Sequence, residues 1–504
     1  MRLFIFTLGV LLLCLETPNT LNAQSITSQG NEFWFSFIES GPNNNDIYSI
    51  FISATDNGTA ILSSPAGDYL LEENYIKDEV TEIRLKDSIW GPIGSNEITN
   101  YGLSLKTTSD VGVYIVNFQT KQSEASIIYP IEIINSDYII TTAAISNNVR
   151  TFIIVATEDE TTIEIHSSDI TSEIVLDKGE TYQLHSNKDL TGTRITAFNN
   201  KKIAVFSGSR STKICPTGTG GSNPLFDQLL PIELLGLEYA LIPFQKQDTS
   251  LVKITAISDQ TEITLNSNYL VNLNENEIYS FPLDEAGVLR SSKKIQVSHM
   301  SCSNDSIGDP SLLHLVPINK TFQFGNVESL QGFDSNDIVF EHRYITLISK
   351  TSDIDDVLFN SNSISSEFIN IGSENEYSYA TIEIDNKNNI IFAPKGVNGF
   401  AYGFGLYDAY TFSLGFSDNN ILSTNSKDTP GCSIFPNPVS HDFNINCEDY
   451  DKLTLIDKLG REVFETPYIE SNKISMNQFE AGIYYLKIHK NNKEIYFEKV
   501  IKLN

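Results

Sequence analysis

Val155-Ala156-Thr157-Glu158-Asp159-Glu160-Thr161-Thr162-Ile163-Glu164-Ile165 is two β-strands around a polar turn. Its second arm alternates polar and apolar side chains, and a period of two places every apolar one on the same face of a strand. The unit recurs as Phe51-Ile52-Ser53-Ala54-Thr55-Asp56-Asn57-Gly58-Thr59-Ala60-Ile61-Leu62 and as Ile254-Thr255-Ala256-Ile257-Ser258-Asp259-Gln260-Thr261-Glu262-Ile263-Thr264-Leu265. Aligning Ala54, Ala156 and Ala256 gives offsets of 102 and 100 residues. A degraded fourth copy starts at Tyr344-Ile345-Thr346-Leu347-Ile348. Recurrence at a fixed period marks one supersecondary unit used several times.

A second strand follows each copy, at Val111–Phe118, Lys202–Ser209 and Lys294–Ser301. Behind it come Tyr129-Pro130-Ile131-Glu132, Leu230-Pro231-Ile232-Glu233 and Val316-Pro317-Ile318-Asn319, each leading into a strand with an aromatic residue, at Tyr138, Tyr239 and Phe322. Each repeat carries about eight short strands, which suits two propeller blades or one small sandwich. The fold class is all-β: a repeated antiparallel β-sheet domain, propeller-like with tandem β-sandwiches as the alternative, followed by a small C-terminal β-sandwich. Closing a ring removes exposed sheet edges, and Glu32-Phe33-Trp34-Phe35-Ser36-Phe37 resembles the aromatic strands of the later repeats. It is placed to complete the sheet left open by the last repeat. Gly399-Phe400-Ala401-Tyr402-Gly403-Phe404-Gly405-Leu406-Tyr407 could form a sugar-stacking platform, but reads better as a last core strand whose glycines relieve crowding under large rings.

The chain has 504 residues, with 34 Lys+Arg against 64 Asp+Glu and a formal net charge of −30. The acids are spread along it and no basic patch exists, which excludes nucleic-acid binding and electrostatic attachment to membranes. Arg2, the apolar stretch Leu3 to Leu15 and the small-residue site Leu21-Asn22-Ala23 form a secretory signal peptide over residues 1–23. That apolar stretch is too short to span a bilayer, and no other segment is a transmembrane candidate. Residues 24–416 hold the repeats and 417–431 a linker rich in turn formers. Residues 432–504 form a compact domain of short strands. Four cysteines remain in the exported chain. The pairing by domain is Cys215 with Cys302, at corresponding places in their repeats, and Cys432 with Cys447.

Gly30-Asn31-Glu32-Phe33 with Trp34, Ile52-Ser53-Ala54-Thr55, Asp227-Gln228-Leu229-Leu230-Pro231 with Gly236 and Tyr239, and the Gly-aromatic run together resemble the IgGFc-binding protein N-terminal domain family over about residues 28–416. The resemblance implies an extracellular binding or adhesive module. The family is known from a mucus protein that associates with antibody Fc and mucins, and has no agreed catalytic residues. The C-terminal domain closely resembles the type A C-terminal sorting domain of the type IX secretion pathway. Ile434-Phe435-Pro436-Asn437-Pro438 comes first, then Leu455-Ile456-Asp457 with Gly460 and Val463. Gly482-Ile483-Tyr484-Tyr485-Leu486-Lys487 and Lys499-Val500-Ile501-Lys502 complete the family's order. Sorting residues carried over are thus Pro436, Asn437, Pro438, Gly460, Gly482, Tyr484, Lys499 and Lys502. The implied partner is the type IX machinery of a Bacteroidota-type bacterium, and the implied destination the outer cell surface or the medium.

No catalytic constellation emerges. Phe206-Ser207-Gly208-Ser209 misses Gly-x-Ser-x-Gly and reads as a strand end, and the histidines are scattered, with His299 and His314 read as surface or satisfied core residues. Gly218-Thr219-Gly220-Gly221 lacks the lysine of a phosphate loop. No cofactor is expected; calcium would suit only Asp353-Ile354-Asp355-Asp356, or Asn304-Asp305 with Asp309. Asp87-Ser88-Ile89 and Asp305-Ser306-Ile307 resemble bacterial O-glycosylation triplets. The reading is a non-enzymatic, adhesin-like binding protein for an extracellular glycan, mucin or protein. Its rivals are a glycan- or peptide-active enzyme and a structural envelope or matrix protein.

Overall fold

Short strands satisfy their backbone groups only by pairing with one another, and this chain pairs them in the same pattern four times. The computed structural model describes residues 26–39, 47–64, 69–85, 90–119, 122–143, 148–167, 171–215, 221–304, 307–330, 340–384, 388–405, 408–418, 433–435, 439, 441–447, 450–457, 461–467, 473–480, 482–490 and 493–502. In unit 1 the long strand Leu103–Gln119 serves two sheets. Its first half pairs with Gly30–Phe35 and Gly58–Ser64. Its second half pairs with Ile47–Ala54 and Gln122–Ile128. Tyr69–Tyr75 and Val80–Leu85 extend the two sheets outward. Units 1 and 3 use seven strands, one of them serving two sheets, while units 2 and 4 have eight, in line with the eight or so expected for each repeat.

Units 3 and 4 have the same device in Gly287–Ser301 and Asn388–Gly405. In unit 2 the long strand is divided into Arg194–Ala197 and Ile203–Thr212 by a single 3-10 turn, Phe198–Asn200. Asn199 and Asn200 take φ of 59° and 57° there, a left-handed conformation that asparagine tolerates better than most residues. The offsets seen in the sequence hold in space. Ala54, Ala156 and Ala256 each accept a backbone N–H from the turn after the next hairpin, from Asp78, Gly179 and Asn276.

Every unit ends in a strand buried along its length, apart from the half-buried Gln122: Gln122–Ile128, Asn223–Gln228, Leu312–His314 and Asp408–Ser413. These inner strands contact one another in cyclic order, unit 1 with 2, 2 with 3, 3 with 4 and 4 with 1. Glu32–Phe37 does not complete the last sheet: Gly30–Phe35 pairs with Leu103–Gln119 of its own unit, as the matching strand does in every other unit. The two ends of the repeated region meet instead through Ile26–Thr27 and Ser417–Asp418. Two residues suffice because Ser28 N–H donates to Phe416 O at 2.6 Å and Phe416 N–H to Ser28 Oγ at 2.8 Å, which continues the ladder.

The aromatic at the start of units 2 and 3 is a tyrosine for a reason. Tyr239 Oη accepts from Gly236 N–H at 3.0 Å and donates to Ile295 O at 2.7 Å. Tyr138 does the same between Asn135 N–H and Ile203 O, both at 2.9 Å. Both side chains are wholly buried, so Tyr239→Phe strands a donor and an acceptor at once. The expected cost is about 2 kcal/mol in urea unfolding, and a shift below about 0.5 kcal/mol would refute this bracing role.

In the Gly-aromatic run, Phe400, Tyr402 and Phe404 are buried and pack around Phe244. A Cβ at Gly403 would stand 2.3 Å from the Tyr410 ring and one at Gly399 2.6 Å from Thr346 O, so the glycines do relieve crowding. Tyr407 lies outside the described residues. The C-terminal region has a three-stranded and a four-stranded sheet closing over Phe443, Leu455, Met476, Leu486 and Val500. It rests on unit 4 through Tyr485, whose ring centroid lies 4.6 Å from that of Phe392.

Candidate functional site

The densest set of chemically capable side chains lies where the inner strands meet. Ser126 Oγ donates to Asp227 Oδ1 at 2.8 Å, and His314 N–H to Asp227 Oδ2 at 2.7 Å, so one carboxyl ties units 1, 2 and 3. Ser123 Oγ donates to Asp408 Oδ2 at 3.0 Å, linking units 1 and 4, and Ser311 Oγ to Glu124 Oε1 at 2.9 Å, linking 3 and 1. Asn223 Nδ2 faces the carbonyls of Ser123, Pro310 and Ala409 at 2.5, 3.1 and 3.2 Å, touching the three other units from the second. Burial pushes Asp227 up to about 8 and holds Glu124 and Asp408 well above the usual carboxylate range. The same desolvation lowers His299 and His314 to about 3, so both imidazoles are neutral.

Ser207, His314 and Asp227 superficially offer a nucleophile, a base and an acid. The geometry denies them that chemistry. His314 Nε2 lies 3.0 Å from Ser207 Oγ, but its Nδ1 faces Ser298 Oγ at 2.8 Å, and Asp227 meets only the backbone of His314. Ser207 and Asp227 have 0% and 1% of their surface exposed, so no substrate reaches them. Ser207 sits inside Ile203–Thr212 rather than at a strand end. His299 is a core residue satisfied on one side only: its Nε2 bonds Ser250 Oγ at 2.7 Å and its ring stacks on Phe244, while its buried Nδ1 meets no hydrogen-bond partner among the described residues. The cluster holds the units together and is sealed from solvent.

An accessible site lies elsewhere, at the seam where the first and last units meet. A cleft of about 220 Å³ is walled by Ser53 and Tyr114 of unit 1, Phe322 to Val327 and Phe412 of unit 4, the paired ends at Thr27 and Ser417, and Lys487 of the C-terminal region. Phe51, Tyr114 and Phe412 stack across this seam with centroids 4.9 and 4.7 Å apart and planes within 6°. Asn326 lines the cleft and is 6% exposed, yet neither atom of its carboxamide has a hydrogen-bond partner among the described residues. Such a buried, unpartnered group usually costs about 1–3 kcal/mol. No sequence pattern pointed to it, because it joins segments some three hundred positions apart.

Among the residues singled out from sequence, Cys215 and Cys302 are disulfide-bonded and bridge units 2 and 3. Cys447 is also disulfide-bonded, while Cys432 lies outside the described residues. Gly482 pairs with Lys502 at the edge of the C-terminal sheet, and Tyr484 is buried with its Oη donating to Glu480 O at 2.9 Å. Lys499 pairs with Tyr485 through its backbone. Pro436, Asn437, Pro438 and Gly460 lie outside the described residues, as do the signal segment, Gly218 to Gly220, Asp87-Ser88-Ile89 and Asp305-Ser306. Asp353 and Asp356 are met by Lys395 at 3.4 and 3.1 Å. Among the described residues no group of three or more His, Cys, Asp or Glu is placed to hold a metal ion.

Residues 124–403, more than half of the chain, match the family model described as IgGFc binding protein. The chain belongs to the IgGFc binding protein family. The match runs from the inner strand of unit 1 into the long strand of unit 4, within the wider span of the sequence resemblance. Residues 433–503 match the secretion system C-terminal sorting domain, so the protein is a type IX export substrate bound for the cell surface or the medium. Neither family is enzymatic. No curated protein matches the chain. A solved chain described as "Biofilm associated protein - BSP domain" aligns over 97% of this chain and 99% of its own, at 8% identity and a TM-score of 0.13, too low to carry a shared fold. Among the described residues no helix is long and apolar enough to cross a membrane.

Proposed function

We propose that the protein is a non-enzymatic, adhesin-like binding protein, delivered by the type IX machinery and directed at an extracellular glycan, mucin or protein. The observation that carries this reading is the division of labour in the repeated region. The carboxyls Glu124, Asp227 and Asp408 are sealed at the centre, where they tie units together, and among the described residues the open seam is lined by no carboxylate or histidine. We read residues 1–23 as a cleaved signal, 24–416 as the binding domain, a four-bladed propeller-like ring, and 432–504 as the sorting domain, joined by a linker near 417–431. Pro436 to Pro438, Gly460, Gly482, Tyr484, Lys499 and Lys502 make up the sorting motif. Membership in a family whose described member binds antibody Fc supports a binding role for this chain without naming its ligand.

The test passes the chain lacking residues 1–23 over immobilised mucins, isolated glycans and antibody Fc, and assays the eluate for released sugar or peptide. Saturable retention with no product is the expected result. Product release would overturn the non-enzymatic reading. Self-association with no retention on any surface would favour a matrix protein instead.

A further inference from the structure

The first half of each long strand carries, with its two neighbours, a row of three cross-strand side chains that can be compared across all four units. In unit 1 the row is Glu32, Lys106 and Ile61. In unit 2 it is Asp137, Thr196 and Glu164, and in unit 3 Glu238, Arg290 and Thr264. Units 1 and 3 close an ion pair there, Glu32 with Lys106 at 3.1 Å and Glu238 with Arg290 at 2.7 Å. Rows of this kind suit the wet face of an antiparallel sheet. Unit 4 breaks the pattern, because its row is Phe324, Phe392 and Leu358.

The four-stranded sheet of the C-terminal region departs in the same way. Leu453, Leu455, Tyr484 and Leu486 fill its own core, so the alternate residues of Lys452–Asp457 and Gly482–Lys490 point outward. There Ile456 stands opposite Tyr485, and Thr454 opposite Lys487. Ile456 and Tyr485 are nevertheless buried, in one cluster with Phe324, Leu358 and Phe392. The same face reaches the seam, where Lys487 lines the cleft with Ser53 and Gly112 of unit 1.

We propose that the Phe324–Phe392–Leu358 row of unit 4 is a docking surface for the sorting domain of its own chain, and that the docked domain straps unit 4 to unit 1. Such a strap goes beyond the binding reading above and does not depend on it. It lies at a joint with no disulfide among the described residues. Units 2 and 3 are joined by the Cys215–Cys302 bond and by Lys253, which donates to Asp189 Oδ2 at 2.9 Å and to Thr142 O at 2.6 Å. Unit 4 meets unit 1 through stacked rings and a two-residue ladder. Undocking leaves those to carry the joint alone and bares three large apolar side chains to water.

The experiment gives unit 4 the ion pair of its sister units. Phe324→Glu/Phe392→Lys, in the chain lacking residues 1–23, installs a cross-strand pair that this repeat accommodates in unit 1 and removes the apolar row. Small-angle scattering reads docking, and hydrogen exchange followed by mass spectrometry reads the ladder of Ile26–Thr27 with Ser417–Asp418. The variant is expected to show a larger radius of gyration and about tenfold faster exchange at the ladder, the weight of one or two lost apolar contacts. Exchange at the inner strand Asn223–Gln228 and at the sorting strand Lys452–Asp457 should stay as in wild type, because both remain folded. Tyr485→Lys, on the other side of the contact, is the second variant and should act alike. An unchanged radius in both variants overturns the docking surface. A larger radius with unchanged exchange at the ladder overturns the strap. Equal acceleration at Asn223–Gln228 in both variants marks a general loosening of the ring and overturns it as well.

Discussion

The double variant Cys215→Ser/Cys302→Ser, or the wild type under reductant, should unfold at a markedly lower urea concentration than the oxidised chain. The bond joins residues 87 positions apart, and restricting the unfolded chain over such a loop stabilises the folded state by about 4.6 kcal/mol in the chain-entropy account. The bond also crosses from unit 2 to unit 3, so its loss frees two units from each other rather than loosening one loop. Substituting both cysteines avoids leaving a lone thiol at Cys302, which is buried. Far-UV circular dichroism against urea, with and without reductant, gives the measurement. A midpoint unmoved by both treatments would show that the inner strands alone hold units 2 and 3 together. The bond also suits the exported chain, since disulfides persist in oxidising compartments.

The second large effect is a dependence of stability on pH that runs against the usual acid denaturation. Asp227 titrates at about 8 in the folded chain against 3.8 as an ordinary carboxyl, so folding keeps a proton that the unfolded chain releases. Its contribution is full below pH 3.8 and is lost as pH rises through 8. Over that window one such group gives a slope of about 1.4 kcal/mol per pH unit. The groups facing it are Ser126, the backbone N–H groups of Gln228 and His314, and, through space, Glu124 and Tyr129. Glu124 and Asp408 are raised as well and add slopes of the same sign. His299 and His314 work on the other limb. With folded values of about 3 against 6.5, their contribution is present above pH 6.5 and lost as pH falls through 3. Asp227→Asn should lower stability overall, because an amide nitrogen cannot accept from the backbone N–H that each carboxyl oxygen meets. It should also flatten the slope between pH 5 and 7 by about 1.4 kcal/mol per unit. An unchanged slope in that variant would exclude Asp227 as the source.

Much of the fold was written in local patterns. Thr162-Ile163-Glu164-Ile165 and its counterparts alternate because one face of each outer sheet is wet, and the alanines at 54, 156 and 256 mark the same strand ends in space. The inner strands were less readable. Gln122-Ser123-Glu124 and Asp227-Gln228 look like solvated residues, yet each inner strand is covered on both faces by neighbouring units, so polarity there signals bonds between units. The closing pair of strands was missed because two residues carry no period. The cleft was missed because Ser53, Asn326 and Ser417 become neighbours only once the ends meet. The sorting domain was the clearest part, since its elements follow one another in sequence.

The ladder joining Ile26 to Asp418 and Thr27 to Ser417 has a mechanical meaning. The chain enters and leaves the repeated region side by side, so a pull on the tail, with the body held by a ligand, loads the Ile26–Asp418 rung first and peels the ladder rung by rung. Peeling is the weak direction for paired strands, whereas the buried inner strands share a load among four units. Because Thr27, Ser28 and Ser417 form part of the cleft wall, a strain on this clasp is felt at the cleft. The clasp is in effect a fuse at the point where the repeated region closes on itself.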